Sequence, residues 1–352
     1  MEDLSPSSDV ARSAKDAMLR RFYTRARISG QVVLPAVPSM LDEYVSMCDT
    51  VFAGLGKRFN DAELAHLRGV LAGQLSAAYS ASPRSNIVIS YDAPIGLTLN
   101  YTVRAEWTSI AQAYERWLET REPPLFGTEP DARVWELASE APAPATCRIL
   151  DIGAGTGRNA LALARRGHPV DVVEMTATFA DILRQEAQRD SLDVRVIVRD
   201  VFVDADDLRD DYDLIVLSEV LTDFRSTQQL RTLFELAARH LATGGRLVFN
   251  AFLARDGYRP DDAAREFCQQ VYSTLFTRDE MSAAAAGLPL ELRADESVHD
   301  YEKAHLPDGA WPPTSWYIDW VSGLDAFRTS REASPIELRW LVYERHADRR
   351  DG

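Results

Sequence analysis

The sequence has few cysteines, few lysines and no long apolar run. Its three cysteines, Cys48, Cys147 and Cys268, are far apart and odd in number, which excludes a disulfide framework and a cysteine-based zinc site. No apolar stretch reaches the roughly 18 residues of a membrane-spanning helix, and the first residues do not resemble a signal peptide. We therefore expect a cytoplasmic protein that does not bind a membrane.

Basic residues are also fewer than acidic residues. The chain has 39 Lys and Arg residues against 54 Asp and Glu residues, so its formal net charge is −15. A chain of this sign repels the phosphate backbone of nucleic acids. We therefore expect no nucleic-acid partner, although the composition alone does not exclude a local basic groove.

The N-terminal part of the chain has mainly helical patterns. With 352 residues, the chain is long enough for two domains or for one large domain with insertions. Residues 17–56 place apolar side chains at helical spacing that is interrupted by glycine and proline. Asn60 with Glu63 resembles a capping box that starts a further helix. Residues 86–107 alternate apolar and polar side chains around a Pro-Ile-Gly sequence at 94–96, which predicts a β-hairpin.

A different pattern begins after a stretch rich in alanine and proline at residues 141–146. Short apolar strands now alternate with amphipathic helices, which is typical of βαβ units and a mostly parallel sheet with helices on both faces. We predict an N-terminal domain over residues 1–140 and an α/β domain over residues 141–352. The seven predicted strands lie in CRILDI, PVDVVEM, VRVIVRD, YDLIVLSEV, GRLVFNAFL, LPLELRADE and IELRWLVYERH.

The first of these strands runs into a glycine-rich turn, Asp151-Ile-Gly-Ala-Gly-Thr-Gly, and then into a helix. Gly153, Gly155 and Gly157 do not fit the dinucleotide pattern, because its sixth position is occupied by Arg158. A turn of this kind directs backbone N–H groups and a positive helix end at a ligand above the sheet. We expect that ligand to present an amino-acid moiety to the loop, since Asp151 suits an ammonium group.

Acidic residues also end the second and third predicted strands. Glu174 lies where an acid can accept hydrogen bonds from both hydroxyls of a ribose. Asp200 can accept from an exocyclic amine such as that of adenine, and Val201 and Phe202 would provide apolar cover. The three strand ends together predict a pocket for a positively charged, adenosine-containing molecule without phosphates.

With these features in register, residues 146–253 resemble the class I, seven-stranded S-adenosylmethionine-dependent methyltransferases. The run GRNALALARRGHPVDVVE is similar to the tellurite-resistance branch of that family, and the last strand suits its antiparallel sheet edge. The resemblance implies a Rossmann-like fold, S-adenosylmethionine as cofactor and S-adenosylhomocysteine as product. The cofactor-binding residues that it implies are Asp151, Gly153, Ala154, Gly155, Gly157, Asn159, Glu174, Met175, Asp200, Val201, Ser218 and, as a lid residue, Tyr114.

Methyl transfer from a sulfonium depends mainly on alignment in a dry pocket, and a base helps when the acceptor is a hydroxyl or an ammonium group. The candidates for that base are Glu219, Asp223, His299 and His305. The sequence SEVLTDF after the fourth strand lacks the Pro-Pro motif of family members that methylate DNA bases or amides. This argues against those two acceptor classes.

Four aromatic residues stand close together before the last strand, within an insertion predicted around residues 256–330. They are Trp311, Trp316, Tyr317 and Trp320. They could line a site for an apolar, aromatic or cationic acceptor, or they could pack the N-terminal domain against the sheet.

We expect a methyltransferase that acts on an oxygen or nitrogen of a small molecule, with the N-terminal domain as a lid or recognition element. Two alternatives stay open, namely a peptide or protein acceptor and a cofactor-binding scaffold without turnover. No residues are predicted to bind a metal, and the sequence determines neither metal dependence nor oligomeric state.

Overall fold

A computed structural model describes residues 7–25, 27–94, 99–120, 125–203, 205 and 207–347. The chain forms two compact units, one that ends at Ser109 and one that begins at Ile110. The predicted domain border after residue 140 differs from this division. One reason is that α5 (Ala132–Ser139) belongs to the second unit. The backbone N–H groups of Ala132 and Arg133, at the start of this helix, donate to the buried carboxylate of Glu302.

The first unit combines helices with a three-stranded antiparallel sheet in the order β1-β2-β3. Its elements are α1 (Ser7–Arg25), β1 (Arg27–Pro35), α2 (Leu41–Gly54), α3 (Asp61–Ala81), β2 (Asn86–Pro94) and β3 (Asn100–Glu106). The capping box of Asn60 and Glu63 starts α3, as predicted. The hairpin pairs β2 with β3, although residues 95–98 of its connection lie outside the described residues.

The helical prediction for residues 17–56 is wrong over β1. This segment pairs with β2 along its length, with Val32 opposite Ile89 and Val33 opposite Val88. Adjacent β-branched residues favour a strand, because their restricted side chains pack well on a pleated surface. The hairpin partner thus overrides a weak helical spacing.

The second unit is an α/β domain built on one sheet. Its strands are β4 (Ile149–Ile152), β5 (Val170–Glu174), β6 (Val194–Val198), β7 (Tyr212–Leu217), β8 (Leu241–Ala254), β9 (Leu275–Phe276), β10 (Leu290–Ser297) and β11 (Ile336–Arg345). Besides α5, its helices are α4 (Ile110–Glu119), α6 (Arg158–Arg165), α7 (Ala177–Arg189), α8 (Thr227–His240), α9 (Asp262–Gln270), α10 (Arg278–Ala285), α11 (Val298–His305) and α12 (Tyr317–Val321).

The sheet order is β10-β11-β8-β7-β4-β5-β6, with the two-residue β9 paired to β8. All seven predicted strands are present, and β9 is an additional one. Strands β4 to β8 pair in parallel, whereas β11 runs antiparallel between β8 and β10. The prediction of a mostly parallel sheet with an antiparallel edge is confirmed.

The strand order reverses between β4 and its two neighbours, β5 and β7. Ligands of open α/β sheets bind at such a switch point, beyond the carboxyl ends of the strands. None of the helices in the described residues combines the length and the apolar character that crossing a bilayer requires.

Candidate functional site

A cavity of about 620 Å³ opens in the second unit, beyond the carboxyl ends of β4, β5 and β7. Its position is that expected for an open α/β sheet. Ten of the predicted cofactor residues line it, namely Tyr114, Asp151, Gly153, Ala154, Gly155, Asn159, Glu174, Met175, Asp200 and Ser218. Gly157 and Val201 are the two that do not.

The glycine loop has a backbone that other residues rarely adopt. Gly153, Gly155 and Gly157 have φ values of +69°, +56° and +95°, all in the left-handed region. A Cβ atom on Gly153 would lie 2.5 Å from Val220 Cγ2, and one on Gly155 would lie 3.4 Å from the Phe126 ring. Gly157 is the N-cap of α6 and is enclosed by core side chains rather than by the cavity. The first two glycines thus keep the loop surface bare, and the third turns the chain into α6.

Glu174 ties the glycine loop to the end of β5. Its side chain accepts hydrogen bonds from the backbone N–H of Gly155 at 2.9 Å and of Thr176 at 2.7 Å. Burial raises the pKa of Glu174, and the two backbone donors oppose that rise. Each carboxylate oxygen has further acceptor capacity, so the side chain can still bind ligand hydroxyls.

Asp151 lies at the cavity wall with one oxygen unsatisfied. The residue is 2% exposed, and its Oδ2 makes no hydrogen bond among the described residues. Burial, followed by the negative charge of Asp131, raises the pKa of Asp151 to about 8, while Arg158 opposes the rise. A buried acceptor without a donor is costly, so this atom is suited to a ligand that brings a donor or a positive charge.

The third strand end forms the rim of the cavity. Asp200 is exposed, and its Oδ1 accepts from the N–H of Phe202 at 2.9 Å. Val201 packs into the core, whereas Phe202 lines the cavity and makes an edge contact with Phe224. Phe202, rather than Val201, is therefore the wall residue of this turn.

An ion cluster beside the loop contains Arg158 and Asp131, two residues that the sequence analysis did not assign to the site. Arg158, the first residue of α6, pairs with Asp131 and reaches Glu219 at 3.1 Å through Nη2. The amide of Asn159 donates to Asp131 Oδ2 at 2.8 Å and accepts from the Asp131 N–H at 2.9 Å. Burial raises the pKa of Glu302, and the negative charge of Asp131 adds to that rise.

Glu219 follows β7 and lines the cavity with a left-handed backbone, φ +63°. Its N–H donates to Oδ1 of the fully buried Asn250 at 2.7 Å, which holds this conformation. Burial raises the pKa of Glu219 to about 7, and Arg158 opposes that rise while Asp131 adds to it. Strained backbone at a cavity wall is a frequent property of functional positions.

Tyr114 and Asp223 meet at another side of the cavity. The Tyr114 hydroxyl donates to Asp223 Oδ2 at 2.7 Å, and its ring makes an edge contact with Phe179. Tyr114 lies on α4 and Asp223 in the 3₁₀ turn Leu221–Asp223 after β7. Tyr114, the predicted lid residue, and Asp223, a candidate base, therefore line the same cavity and are joined by a hydrogen bond.

The structure places neither candidate histidine at the cavity. His299 is buried on α11, where its Nδ1 lies 2.9 Å from Asp300 and its ring contacts Trp311. His305 is exposed and stacks on Tyr301. His299 and His305 thus contact other partners on and around α11 and are not among the residues that line this cavity.

The aromatic cluster divides into two pairs. Trp316 and Trp320 line the cavity, and Trp320 Nε1 donates to the carbonyl of Tyr272 at 3.0 Å. Trp311 and Tyr317 lie behind them and pack against one another. Further aromatic residues that the sequence analysis missed also line the cavity, namely Trp117, Phe126, Phe179, Phe224 and Tyr272.

Comparison with known proteins agrees with this architecture. Residues 149–245 match the family model of a methyltransferase domain. Over 154 residues the chain is 27% identical to Hemagglutinin 1 of Eikenella corrodens, which covers 44% of this chain and 47% of that protein. Over 110 residues it is 26% identical to a probable S-adenosyl-L-methionine-dependent methyltransferase, TehB, of Haemophilus influenzae, covering 31% and 37% respectively. The chain thus spans less than half the length of these curated relatives.

Among solved structures, a geranyl diphosphate C-methyltransferase from Streptomyces coelicolor A3(2) is similar in fold. It was crystallised with Mg²⁺, geranyl diphosphate and S-adenosyl-L-homocysteine. The alignment has a TM-score of 0.50 and 18% identity, and it covers 68% of this chain and 98% of that chain. The family match over residues 149–245, together with the strand order and the glycine loop, supports a class I, Rossmann-like S-adenosylmethionine-dependent methyltransferase domain in this part of the chain.

Proposed function

We propose that this protein transfers a methyl group from S-adenosylmethionine to an oxygen or nitrogen of a small-molecule acceptor. The observation that carries the proposal is the buried oxygen of Asp151, which has no hydrogen-bond partner among the described residues. It lies at the start of the loop in which Gly153 and Gly155 have no side chains. This combination suits a ligand that approaches the backbone closely and brings a donor to the carboxyl group. The amino-acid end of S-adenosylmethionine has such a donor in its ammonium group.

The other strand ends suit the remainder of that cofactor. Glu174 would accept from the ribose hydroxyls, and the rim formed by Met175, Asp200 and Phe202 would enclose the adenine. These residues offer acceptors and apolar surface, and their charge matches a cofactor without phosphates. The acceptors and apolar surface of the cavity therefore fit S-adenosylmethionine.

When bound, S-adenosylmethionine supplies an electrophilic methyl group on a sulfonium. The contribution of this chain is to hold the acceptor against that methyl group and to exclude water. The aromatic side chains of Tyr114, Trp316 and Trp320 provide walls for this purpose. Glu219 and Asp223 line the same cavity, and we propose them as the carboxylates that receive a proton from the acceptor.

A binding experiment tests the proposal without knowledge of the acceptor. Calorimetry should show that S-adenosylhomocysteine binds the purified chain, whereas NAD⁺ does not. Asp151→Asn should weaken S-adenosylhomocysteine by about tenfold or more, because a charge-assisted hydrogen bond is lost. The same variant should leave the affinity for methylthioadenosine nearly unchanged, since that nucleoside lacks the amino-acid moiety.

Asp256→Asn is the matched control, because Asp256 is fully exposed and does not line the cavity. Failure of the unmodified chain to bind S-adenosylhomocysteine would overturn the proposal. So would an equal loss of affinity for both nucleosides in Asp151→Asn, since it would place the carboxylate away from the amino-acid end.

A further inference from the structure

We infer that the acceptor is an amine, which binds as its ammonium ion between Glu219 and the aromatic wall of Trp316, Trp320 and Tyr272. The inference rests on the proposed function and names the substrate class of the same cavity.

The first argument is the charge of the cavity wall. Six carboxyl groups and one guanidinium group occur among the described residues that line it. Asp151, Glu174 and Asp200 belong to the cofactor end in the proposed function. The remaining carboxylates are Glu219, Asp223 and Asp325. The part of the cavity left for the acceptor is therefore acidic.

The second argument is that the one guanidinium group is already neutralised. Arg158 is nine-tenths buried and contacts the carboxylates of both Asp131 and Glu219. An anionic acceptor such as a diphosphate would have to displace one of these partners and leave it buried without a cation. A neutral or cationic acceptor leaves the ion cluster intact.

The third argument is the aromatic surface of the same cavity. Trp316 packs at 5.5 Å between ring centroids against Trp320, whose indole N–H is held by the carbonyl of Tyr272. All three residues line the cavity. Indole and phenol rings that share a cavity with carboxylates can attract an ammonium group, through cation–π and charge interactions.

Glu219 is the residue that can serve both binding and proton transfer. Among the described residues its carboxylate makes a hydrogen bond through Oε1 alone, to Arg158, so Oε2 is available to a ligand. With the pKa of Glu219 raised to about 7 by burial, the carboxylate can accept a proton near neutral pH. The groups that act on it are Arg158, which favours the ionised form, and Asp131, which opposes it.

The step balances in protons and electrons. The ammonium nitrogen gives one proton to the carboxylate of Glu219 and becomes a neutral amine with a free electron pair. That pair forms the new nitrogen–carbon bond to the methyl group while the carbon–sulfur bond breaks and sulfur keeps its electrons. The products are a methylated ammonium ion, a neutral thioether and protonated Glu219, which then returns its proton to water.

The competing explanation is that these carboxylates act only on the positive charge of the sulfonium. The two explanations differ in what Glu219→Gln changes. If Glu219 acts on the sulfonium alone, the variant weakens S-adenosylmethionine more than S-adenosylhomocysteine and leaves amine binding unchanged. If it binds the acceptor, amine binding falls.

The experiment uses three indoles of similar size and different charge. Tryptamine, tryptophol and indole-3-propionate are titrated into the full chain saturated with S-adenosylhomocysteine, and affinities are read by calorimetry. We expect tryptamine to bind at least about tenfold more tightly than indole-3-propionate, with tryptophol between them.

Glu219→Gln should reduce the affinity for tryptamine by about tenfold and change that for tryptophol by less than about twofold. Glu235→Gln is the matched control, because it removes a carboxylate of a solvent-exposed pair on α8. Retained S-adenosylhomocysteine affinity and an unchanged circular dichroism spectrum verify that Glu219→Gln is folded. Trp316→Leu gives a second variant, for which the preference for the ammonium over the alcohol should shrink.

The inference is overturned if indole-3-propionate binds as tightly as tryptamine, if no indole binds the saturated protein, or if Glu219→Gln leaves tryptamine affinity unchanged. In each case bound S-adenosylhomocysteine shows that the proposed function survives. If S-adenosylhomocysteine itself does not bind, the proposed function fails first.

Discussion

The substitution Glu174→Gln is a sensitive test of the cofactor site, because it keeps the shape of the side chain and removes one acceptor. The carboxylate accepts from the N–H groups of Gly155 and Thr176. A glutamine can accept through one oxygen only, so its NH₂ group faces a donor. Removing a buried charge offsets part of this loss, and we expect the free energy of unfolding to fall by only about 1 kcal/mol.

The loss should be larger for binding than for folding. One charge-assisted hydrogen bond from a ribose hydroxyl contributes about 1.5–3 kcal/mol, so S-adenosylhomocysteine should bind about tenfold to a hundredfold more weakly to Glu174→Gln. The penalty should also appear with adenosine and should largely vanish with 2′,3′-dideoxyadenosine, which has neither hydroxyl. Calorimetry with the three ligands measures both effects.

Glu186→Gln on α7 is the control, since it removes a carboxylate that pairs with Arg189 on the surface. The assignment of Glu174 to the ribose is refuted if folded Glu174→Gln binds S-adenosylhomocysteine normally. It is also refuted if the dideoxynucleoside suffers the same penalty as adenosine, because the loss would then come from the glycine loop alone.

Three further predictions concern the loop and the ion cluster. Gly153→Ala should abolish detectable S-adenosylhomocysteine binding. Gly244 has a similar positive φ but open space around it, so Gly244→Ala should lower the free energy of unfolding by about 1–2 kcal/mol and leave binding intact. Equal binding by both variants would contradict this prediction. Arg158→Met should lower the free energy of unfolding by about 3–5 kcal/mol in urea denaturation, because it leaves two carboxylates without their cation. Arg165→Met, at an exposed pair, should lower it by less than about 1 kcal/mol. Similar losses in the two variants would contradict a stabilising role of the ion cluster. Burial raises the pKa of Asp151 from 3.8 to about 8, so the folded state binds this proton more tightly than the unfolded state. The free energy of unfolding of the ligand-free protein should therefore decline between about pH 4 and pH 8, and Asp151→Asn should flatten that decline. An unaltered pH profile in the variant would exclude a contribution from Asp151.

The sequence predicted the parts of the site that depend on local pattern. Asp151 and Glu174 each end an apolar strand, and the carboxyl ends of parallel strands meet at one edge, so their proximity follows from the βαβ pattern. The glycines were identifiable because a strand-to-helix turn with three glycines requires a special backbone. These features need no knowledge of distant contacts.

The rest of the site depends on contacts between segments far apart in the chain. Asp131 precedes a helix, a position that predicts an N-cap, yet its side chain pairs with Arg158 and makes no cap hydrogen bond. Only tertiary packing brings these residues together. The position of Arg158 directly after Gly157 was the one feature of the sequence that could have indicated its place in the site. His299 shows the reverse case, since a residue of suitable chemistry is directed to Asp300 and Trp311 by the helix that carries it.

The division of the chain into two compact units bears on how its stability is measured. The clusters of buried apolar side chains in the described residues each lie within one unit, with Phe52, Leu67 and Leu71 in the first and Phe252 and Trp340 in the second. Separate interiors allow separate melting, so one midpoint need not describe the whole polypeptide. A bound nucleoside would then protect the unit Ile110–Gly352 from heat while the other unit melts at its own temperature.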